Sequence, residues 1–570
     1  MQYRPDTCYN SSHLCYITGS DRRACPDGYC SSVLPCCCCD VWVKTISGIL
    51  MLKGSITLLA LLAALIAAFV ASPRAASRVR SEQTTLGGAE IKKVAIFPFS
   101  PSNAAANDQE IRFFSLALAA EIGAKLSQSE GVAARVPEGE RYEVSESMLA
   151  NAAHELDIEY SLTGSYRREG DRLRLNARLM NARRGETLWD APLEVAYHDL
   201  RRIPELLCQM IIAGLGITLS PAEDSRLRKD RCADATAYEL YLRATALRPA
   251  TANDWQRQRE LLERSIELDH AYAPALAALG NAHMQYASKT GGGARHYELA
   301  ERILRRALKI NGESPQTLLA LGSLYAKIGK SEESAALLQR ALRLFPHSAS
   351  FHQTLGYVYR YAGLLDESIT TYRQAQTLDR GLGNLIESEE QIVKALIYKG
   401  DYRAALASHA KIAAYRDAAR EPPDHKELFY AGVSHLYLKE HGAAARLFDR
   451  AAAIDAVSIW SVFAQAYKAA QQGDRTRLLE RVKKLETLDI VDSERRYRLA
   501  HFYALAGQRT PALHNLKKAI EGGFFNYPYL SHDPLLADIS GADEFKTLLR
   551  GAKRRHENFK RKFGARRERS

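Results

Sequence analysis

The sequence lacks the residue combinations that mark common catalytic sites. The 570-residue chain has no His-Glu-x-x-His and no Gly-x-Ser-x-Gly motif, so the zinc-peptidase and serine-hydrolase signatures are absent. Gly329-Lys330-Ser331 ends like a phosphate-binding loop, but Leu324 stands where the loop requires its first glycine. Ser531-His532-Asp533 contains triad residue types, but sequence neighbours lack the geometry of a proton relay. The sequence therefore predicts a protein that is not an enzyme and needs no cofactor.

Cysteine is scarce outside the amino-terminal region. Eight of the ten cysteines lie within residues 1–47, and only Cys208 and Cys232 follow. The early cluster includes four consecutive cysteines, Cys36 to Cys39, and lacks the paired spacing that zinc sites use. We expect no metal site. Residues 1–47 are interpreted as a disordered, cysteine-rich leader. The alternative is that translation starts at Met51, so that these residues are not part of the protein.

Positive charge is concentrated in the last residues. The net charge is +12, and residues 553–570 hold nine Lys or Arg against two Glu, which gives +7 and leaves +5 for the remainder. This basic tail is an electrostatic candidate for anionic lipid headgroups, with nucleic acid the less expected ligand. Phe559 and Phe563 lie four residues apart and favour a short amphipathic helix. A solvated, disordered end is the alternative.

Long apolar runs are missing except in one place. Residues 48–71 read GILMLKGSITLLALLAALIAAFVA, and Lys53 is the single charge. This length suits a transmembrane helix, or a signal anchor if translation starts at Met51. Residues 72–90 form a small and polar linker. We therefore predict a single-pass inner-membrane protein whose remaining domains are periplasmic, although flanking basic residues on both sides leave the orientation undecided.

Strand and helix patterns alternate between residues 91 and 220, which predicts a small α/β domain. The predicted elements are a strand at Lys93–Phe99, helices at 108–127 and 145–156, a strand at Tyr160–Tyr166, and strands at 172–179 and 187–189 after turns. The segments VAIFPF and HELDIEYSLTGSYRREGDRLRLNARLMNARRGETLW resemble the TolB-like amino-terminal domain, most strongly at Gly164-Ser165, Gly185 and Leu188-Trp189. The resemblance implies an accessory or sensory domain, as in the extracytoplasmic halves of bacterial membrane-bound cyclases and winged-helix regulators.

Self-similarity dominates the rest of the chain. Gly322, Gly356, Gly432 and Ala500 can be aligned, and the spacing from Gly322 to Gly356 is 34 residues. At fixed offsets after them come a Tyr or His, a Ser or Ala, a large apolar residue and an Ala. The large residues are Leu338, Tyr372, Phe448 and Leu516. This pattern resembles the tetratricopeptide (TPR) family, whose helical hairpins stack into a superhelix with a concave groove.

The predicted fold is therefore one transmembrane or signal-anchor helix, a small α/β domain and an all-α TPR solenoid. We expect roughly seven hairpins over residues 235–521, including a copy with an eight-residue insertion around Thr290 to Gly293. A helical lead-in, 237–269, precedes the regular copies. Residues 522–552 are predicted to be a capping segment, and residues 553–570 the basic tail.

The first helix of each hairpin is expected to line a partner-binding groove. Counting from the start of each repeat gives Asn281, Lys327, Gln353, Tyr357, Arg360, Tyr361, Phe429, Tyr437, Tyr497 and His501. Aromatic and Arg side chains are common interface anchors, so Tyr357, Arg360 and Tyr361 are the first candidates. The alternative is that these residues are solvated or pack between repeats. Ala277 stands where a carboxylate-clamping TPR would need Lys, which argues against that type of site.

Two functions fit these features. The first is a non-catalytic, membrane-anchored scaffold or sensory protein that binds a partner polypeptide in the TPR groove. The second is the extracytoplasmic sensory half of a signalling or transcription-regulatory system whose output domain is absent from this chain. A third reading, an enzyme that docks substrates on its TPRs, lacks an unassigned stretch for a catalytic domain.

Overall fold

The computed structural model describes residues 91–102, 109–137, 153, 156–290, 293–487 and 492–564, all of which fall within one compact unit, Thr85–Ser570. The predicted leader, membrane helix and linker (residues 1–90) lie outside these ranges, as does most of the helix predicted at 145–156. Within the described ranges, no helix has both the length and the apolar character needed to span a bilayer.

A six-stranded mixed sheet forms the first part of the described chain. Its strands are β1 (Lys92–Ile96), β2 (Ser100–Pro101), β3 (Val132–Arg135), β4 (Tyr160–Glu169), β5 (Arg172–Asn181) and β6 (Glu186–Ala196). The order is β3-β1-β4-β5-β6, with β2 on β4; β1 pairs in parallel with β3 and β4, and β4, β5 and β6 are antiparallel. The edge strand β3 was not predicted, because four residues are too short for a periodic signal.

Alternating side chains place one face of the sheet in the core. In β5, Leu173, Leu175, Ala177 and Leu179 are buried, and the residues between them are exposed or half-buried. This apolar face packs against helices α1 (Gln109–Leu126) and α2 (Ile203–Gly214), the latter following a 3-10 turn at Tyr197–Arg202. A short helix, α3 (Pro221–Lys229), then leads into the helical array.

Eight antiparallel helix pairs follow, one more than predicted, because the expected lead-in is itself a hairpin. The array contains α4 (Ala235–Ala246), α5 (Ala252–Leu268), α6 (Ala273–Thr290), α7 (Gly293–Ile310), α8 (Pro315–Lys327), α9 (Ser331–Leu344), α10 (Ala349–Ala362), α11 (Leu365–Leu378), α12 (Leu382–Lys399), α13 (Tyr402–Ala419), α14 (His425–Tyr437), α15 (His441–Ile454), α16 (Ile459–Gln471), α17 (Arg475–Glu486), α18 (Ser493–Leu505) and α19 (Arg509–Glu521).

Small residues let the two helices of a hairpin approach closely. A Cβ added at Gly356 would lie 2.8 Å from the ring of Tyr372, and one at Gly322 would lie 2.8 Å from Leu338. A hydrogen bond also stabilises the close approach of these two helices: Ser368 Oγ donates to the carbonyl oxygen of Gly356 at 2.7 Å. These pairs are the residues that the repeat alignment places opposite one another. The pattern therefore describes a packing requirement between paired helices.

The insertion near Thr290 is absorbed by longer helices. The hairpin α6–α7 has 18 residues in each helix, whereas α8 has 13 and α9 has 14. A Cβ at Gly280 would still collide with Leu304, which lies 24 positions later in place of the usual 16. The extra residues lengthen the hairpin outward, and the close contact between its helices is kept.

The sheet and the first hairpins share one hydrophobic core. A single cluster of buried residues extends from Val94 in β1, through α1 and α2, to Ala307 in α7. Farther along, the guanidinium of Arg135 in β3 donates to the carbonyl oxygen of Leu378 and lies 3.4 Å from the carboxylate of Asp379. The sequence-based division near residue 220 therefore marks a change of secondary structure within continuous packing.

The predicted cap and basic tail form a folded carboxy-terminal segment. It contains α20 (Tyr527–Leu530), a 3-10 turn (Pro534–Leu536), α21 (Ala537–Ser540) and α22 (Asp543–Phe563). Phe559 and Phe563 are buried, so the helical spacing was a correct signal. The alternative of a disordered end is wrong for residues 553–564, because these rings pack on the solenoid. Residues 565–570 lie outside the described ranges.

The close helix approach can be tested by Gly356→Ala. The new methyl group would collide with Tyr372, which is 2% exposed and cannot move aside. Overpacking of this kind costs about 1–3 kcal/mol, more than the gain of up to about 1 kcal/mol in helix propensity. We expect a lower melting temperature. Gly551→Ala in α22 is the control, since its Cβ meets nothing within 4 Å; equal melting temperatures for the two variants would contradict the packing account.

Candidate partner-binding surface

The even-numbered helices α8 to α18 line the inner face of the array, and their partners lie outside. The array curves back on itself, because the turn after α8 touches the end of α19. At Gly329 an added Cβ would lie 2.6 Å from the backbone of Gly522. Gly329 has φ +80°, a conformation that glycine adopts without strain. Only a residue without a side chain permits this backbone contact.

The carboxy-terminal segment fills one end of the inner face. We call residues 523–536 the plug. Phe524 is fully buried, with ring centroids 5.4 Å from Tyr361, 5.6 Å from Tyr398 and 5.0 Å from Tyr497. Tyr529 lies 4.4 Å from Tyr398 and hydrogen-bonds through its hydroxyl to that of Tyr437 at 2.6 Å. The plug thus contacts four of the inner helices with aromatic side chains, an arrangement typical of a tightly packed interface.

A buried carboxylate anchors the plug. Asp533 accepts hydrogen bonds from Tyr497 Oη and His501 Nε2, each at 2.7 Å, and from Tyr437 Oη at 3.0 Å. Burial alone would raise the pKa of Asp533, but the charge and hydrogen bond of His501, together with Tyr497, lower it to about 2. The carboxylate is therefore ionised and held by two inner helices, α14 and α18.

Helix α22 continues over the second helices and the turns. Arg555 donates to Glu332 at 2.9 Å and to the carbonyl oxygen of Gly329 at 2.9 Å. The Nδ1 of His556 lies 2.7 Å from the carbonyl oxygen of Ala362, and the backbone oxygen of Phe563 accepts from Tyr359 Oη at 3.2 Å. These contacts fasten the end of the chain to hairpins α8–α9 and α10–α11.

Five of the ten predicted groove residues are buried in the array, which corrects their assignment as accessible anchors. Arg360 has no exposed surface; its Nη1 donates to Glu494 at 2.9 Å and its Nη2 to Gln391 at 3.1 Å. Tyr361 donates to Asp492 at 3.1 Å. The other three are Phe429, Tyr497 and His501, which are 0–1% exposed. Counting residues along the helices correctly predicted that these side chains point to the inner face. There, however, the plug and the opposite helices cover them.

The other five predicted residues keep some exposed surface. Tyr437 is half-buried and bonded to the plug. Tyr357 stacks on Tyr361 with centroids 4.3 Å apart, and Gln353 donates to Asn384 at 2.5 Å. Lys327 is half-buried, close to Asp492 and Arg495, and Asn281 is exposed on α6. Lys327, Gln353 and Tyr357 thus keep part of their surface exposed on the inner face.

The inner face also carries cations that the sequence count missed. Lys394, Arg495 and Arg498 converge on the rings of Tyr430 and Trp460, at distances of 4.9–5.9 Å, and we call this set the cationic end. Among the described residues, none of the three cations has a carboxylate within ion-pair distance. Stacking on aromatic faces compensates such charges in part. Gly400 was a sequence signal from which Lys394 could have been predicted. Counting back along the helix from this turn glycine places Lys394 on the inner face.

At the cationic end, the buried carboxylate of Glu494 interacts with several cations at once. Burial lowers the pKa of Lys394 to about 7, although Glu494 acts in the opposite direction. Glu494 is the buried carboxylate at the centre, and it also accepts from Arg360 and Tyr398. The Nε atoms of Arg360 and Arg498 are buried, and neither has a hydrogen-bond partner in the described ranges. Buried cations in excess over carboxylates favour a bound anionic group or carbonyl oxygens.

The sequence motifs with a catalytic appearance are structural. Asp533 points inward to His501, whereas His532 is exposed and contacts Ser531, so these three neighbours form no relay. Lys330 and Ser331 lie at the turn into α9, where Lys330 contacts Glu301. In the described ranges no group of three or more His, Cys, Asp or Glu side chains is placed to hold a metal ion.

Comparisons with known proteins agree with the helical repeats. The profile of the tetratricopeptide repeat family matches residues 292–349 and 319–382, so the chain contains TPRs, which are generally non-catalytic modules for protein–protein interaction. A protein named "Putative adenylate cyclase 3" from Rhizobium meliloti (strain 1021) is 24% identical over 227 residues. That match covers 39% of this chain and 38% of the relative's length.

Two solved structures resemble parts of the chain. MamA is 20% identical, with a TM-score of 0.25, over 30% of this chain and 92% of that chain. A tetratricopeptide repeat protein from Parabacteroides merdae ATCC 43184 is 14% identical, with a TM-score of 0.32, over 48% of this chain and 96% of that chain.

The anchoring role of Asp533 can be tested by Asp533→Ala. The change leaves His501, Tyr497 and Tyr437 without their acceptor, so we expect a loss of about 3 kcal/mol and faster proteolysis between residues 523 and 564. Asp538→Ala, an exposed neighbour, should match the wild type. Because its pKa is lowered, Asp533 stabilises the wild-type fold above pH ~4, and this contribution should be lost as the pH falls towards about 2. Equal proteolysis of both variants would contradict the anchor.

Proposed function

We propose that this chain is a non-catalytic scaffold or sensory protein that binds a partner polypeptide through its TPR array. The observation that carries the proposal is the cationic end, where Lys394, Arg495 and Arg498 face Tyr430 and Trp460 without carboxylate partners among the described residues. Cations and aromatic rings in a partly exposed cluster are the usual anchors of protein interfaces. Lys394, Arg498 and Tyr430 are buried, so a partner would reach the cluster through Trp460 and Arg495, which are half-buried.

The plug restricts where this partner binds. The inner aromatic residues next to it, including Tyr398 and Tyr497, are already occupied by Phe524 and Tyr529. A partner that entered at that end would have to displace packed rings and the buried Asp533. The cationic end requires no such displacement. We therefore place the partner's contact surface there and at the neighbouring residues Lys327 and Tyr357.

The membrane anchor is part of the proposal. The apolar run at residues 48–71 supports a single span or a signal anchor at the inner membrane, with the sheet and the TPR array in the periplasm. The TolB-like character of residues 91–220 is likewise proposed, on the motifs that follow Tyr160 and on the mixed sheet. A membrane tether would raise the local concentration of membrane-associated partners around the array.

A second candidate is the extracytoplasmic sensory half of a signalling system whose output domain lies elsewhere. The 24% identity to a protein named as an adenylate cyclase favours it. The two candidates share a fold and differ in the partner: a scaffold binds a client, whereas a sensor passes a signal to an output protein. Identification of the bound polypeptide separates them.

Site-specific photocrosslinking in cells tests the surface. A benzophenone amino acid at position 327, beside the cationic end, should capture one predominant polypeptide. The same amino acid at position 343, which is exposed on the outer helix of the same hairpin, should not. The double variant Lys394→Gln, Arg495→Gln should reduce the yield at position 327 by about tenfold, since removing interface charges costs 1.4 kcal/mol or more.

The matched control is Arg496→Gln, a half-buried neighbour on α18 that faces no part of the cationic end. It should leave the crosslink unchanged. The same products at positions 327 and 343, or none at either, would contradict the proposed surface. If the crosslink persists in the double variant, the array still binds the partner, but the cationic end is not its anchor.

We also propose that the outer face of α22 contacts anionic lipid. Lys546, Arg550, Lys553, Arg554, Lys560, Arg561 and Lys562 are exposed. Phe559 and Phe563 face the solenoid, so contact with a bilayer would be electrostatic without insertion.

Cosedimentation with vesicles measures this contact. Because each surface cation contributes about 1 kcal/mol to binding at an anionic bilayer, Lys560→Gln with Arg561→Gln should weaken binding to phosphatidylserine-rich vesicles by about tenfold. Lys517→Gln with Lys518→Gln on α19 removes two exposed cations elsewhere and should have little effect. Equal loss in both pairs, or equal binding to neutral phosphatidylcholine vesicles, would rule out a specific role for α22.

A further inference from the structure

A cleft of about 580 Å³ lies beside the sheet, far from the cationic end in sequence. It is formed by the end of α1, by α2, by the connection after it and by α3. Its lining comprises Lys125, Glu205, Cys208, Gln209, Ile212, Ala213, Ile217, Leu219, Pro221, Asp224, Leu227 and Arg228. Gln209, Ala213 and Arg228 are exposed, so one side of the cleft opens to solvent. The volume falls within the range of about 300–1,000 Å³ typical of small-molecule sites.

Local contacts hold this cleft open. After α2 the chain reverses at Gly216, which has φ +65°. Helix α3 then starts with a capping box between Ser220 and Glu223. The carboxylate of Glu223 also accepts from the backbone N–H of Glu130 at 2.8 Å, and Arg226 donates to the carbonyl oxygen of Gln128 at 3.5 Å. Helix α3 is therefore fixed to the loop before β3, which prevents it from closing onto α2.

The walls of the cleft are mainly apolar. Ile212 and Leu227 are buried, and Ile217 and Leu219 are half-buried along the open side. The Cys208 thiol is buried as well, and burial raises its pKa to about 12. It is therefore protonated and belongs to the apolar wall, where a thiolate nucleophile is excluded. Such a surface accommodates a hydrocarbon group of a ligand.

One buried cation faces the cleft and forms no ion pair with any residue that the structure describes. Lys125 is 6% exposed, and its ammonium group donates to the carbonyl oxygen of Leu227 at 3.3 Å. Two carboxyls that interact electrostatically with it, Glu121 and Asp230, are engaged by Tyr241 and Asn311 and lie beyond ion-pair distance. Burial raises the pKa of both carboxyls, which further weakens them as counter-ions. The ammonium therefore has donors to spare in a low-dielectric wall.

The charged residues at the rim satisfy each other. Arg228 donates to Asp224 at 3.0 and 3.1 Å, and Arg231 is paired with Glu205. They contribute no net charge to the opening. The combination of a neutral rim, an apolar wall and a single internal cation defines the class of ligand.

We propose that this cleft binds a medium-chain carboxylate, a molecule with one anionic head and a hydrocarbon tail. The carboxylate accepts hydrogen bonds from Lys125, and the tail lies along Ile212, Ile217 and Leu227. This ligand supplies the missing counter-ion and covers the apolar wall at the same time. The site is independent of the TPR partner, so either assignment can hold without the other.

Isothermal titration of the full chain with octanoate tests the assignment. Wild type should bind octanoate saturably and at least about tenfold more tightly than octanol, because the neutral alcohol lacks the charge that Lys125 recognises. Lys125→Met removes the cation with little change in volume and should weaken octanoate binding by about tenfold. Ala213→Trp should fill the cleft from its exposed rim and abolish binding, even if Lys125→Met proves unstable.

Ala222→Trp is the matched control, since Ala222 is exposed on α3 and lies outside the lining. It should bind octanoate like the wild type, and melting curves check that each variant is folded. Absence of saturable octanoate binding by the wild type would overturn the proposal. So would binding that neither Lys125→Met nor Ala213→Trp changes. If octanol binds as tightly as octanoate, binding is only an adventitious partition of hydrocarbon into the cleft, and the proposal is wrong.

Discussion

The buried carboxylate of Asp533 is the contact on which the closed form of the array depends. It collects hydrogen bonds from Tyr437, Tyr497 and His501, which belong to two separate inner helices. A charge without exposed surface is stable only when its lone pairs are satisfied. The interaction therefore fixes the plug in one position. With the plug in place, Phe524 and Tyr529 fill the space between the first helices and the chain end can fold over the outside.

Because the plug closes the array, less of the inner face is available to bind a partner. In an open superhelix, inward-pointing aromatic and Arg side chains bind partners. In this chain many of those side chains bind one another and the plug, with Arg360 in an ion pair with Glu494 as the central example. The positions that keep exposed surface include Lys327 and Tyr357 and, at the cationic end, Trp460 and Arg495. The protein thus combines a rigid, self-filled centre with a small charged surface.

The sheet and the array are packed as neighbours with a common core. Buried residues from Val94 to Ala307 form one cluster, and Arg135 reaches the end of α11. The cleft beside α3 is built into this shared region, where the capping box and Glu223 hold a short helix away from α2. A ligand there and a partner at the cationic end would contact the same continuously packed body through separate surfaces.

The repeat register, the paired helices and most strands were predictable from the residues alone, because they follow from periodicity and from small residues opposite large ones. It also marked Phe559 and Phe563 as one helix face. The three-dimensional packing was needed to show that this face covers the solenoid and that Tyr361, Tyr497 and His501 are enclosed. It was also needed to show that Lys394 has no ion pair within the described part of the chain. Local pattern gives the direction in which a side chain points. Whether the side chain is then exposed to solvent depends on segments more than a hundred residues away in sequence, as the contact of Arg360 with Glu494 shows. The local periodicity of a sequence contains no information on such long-range contacts.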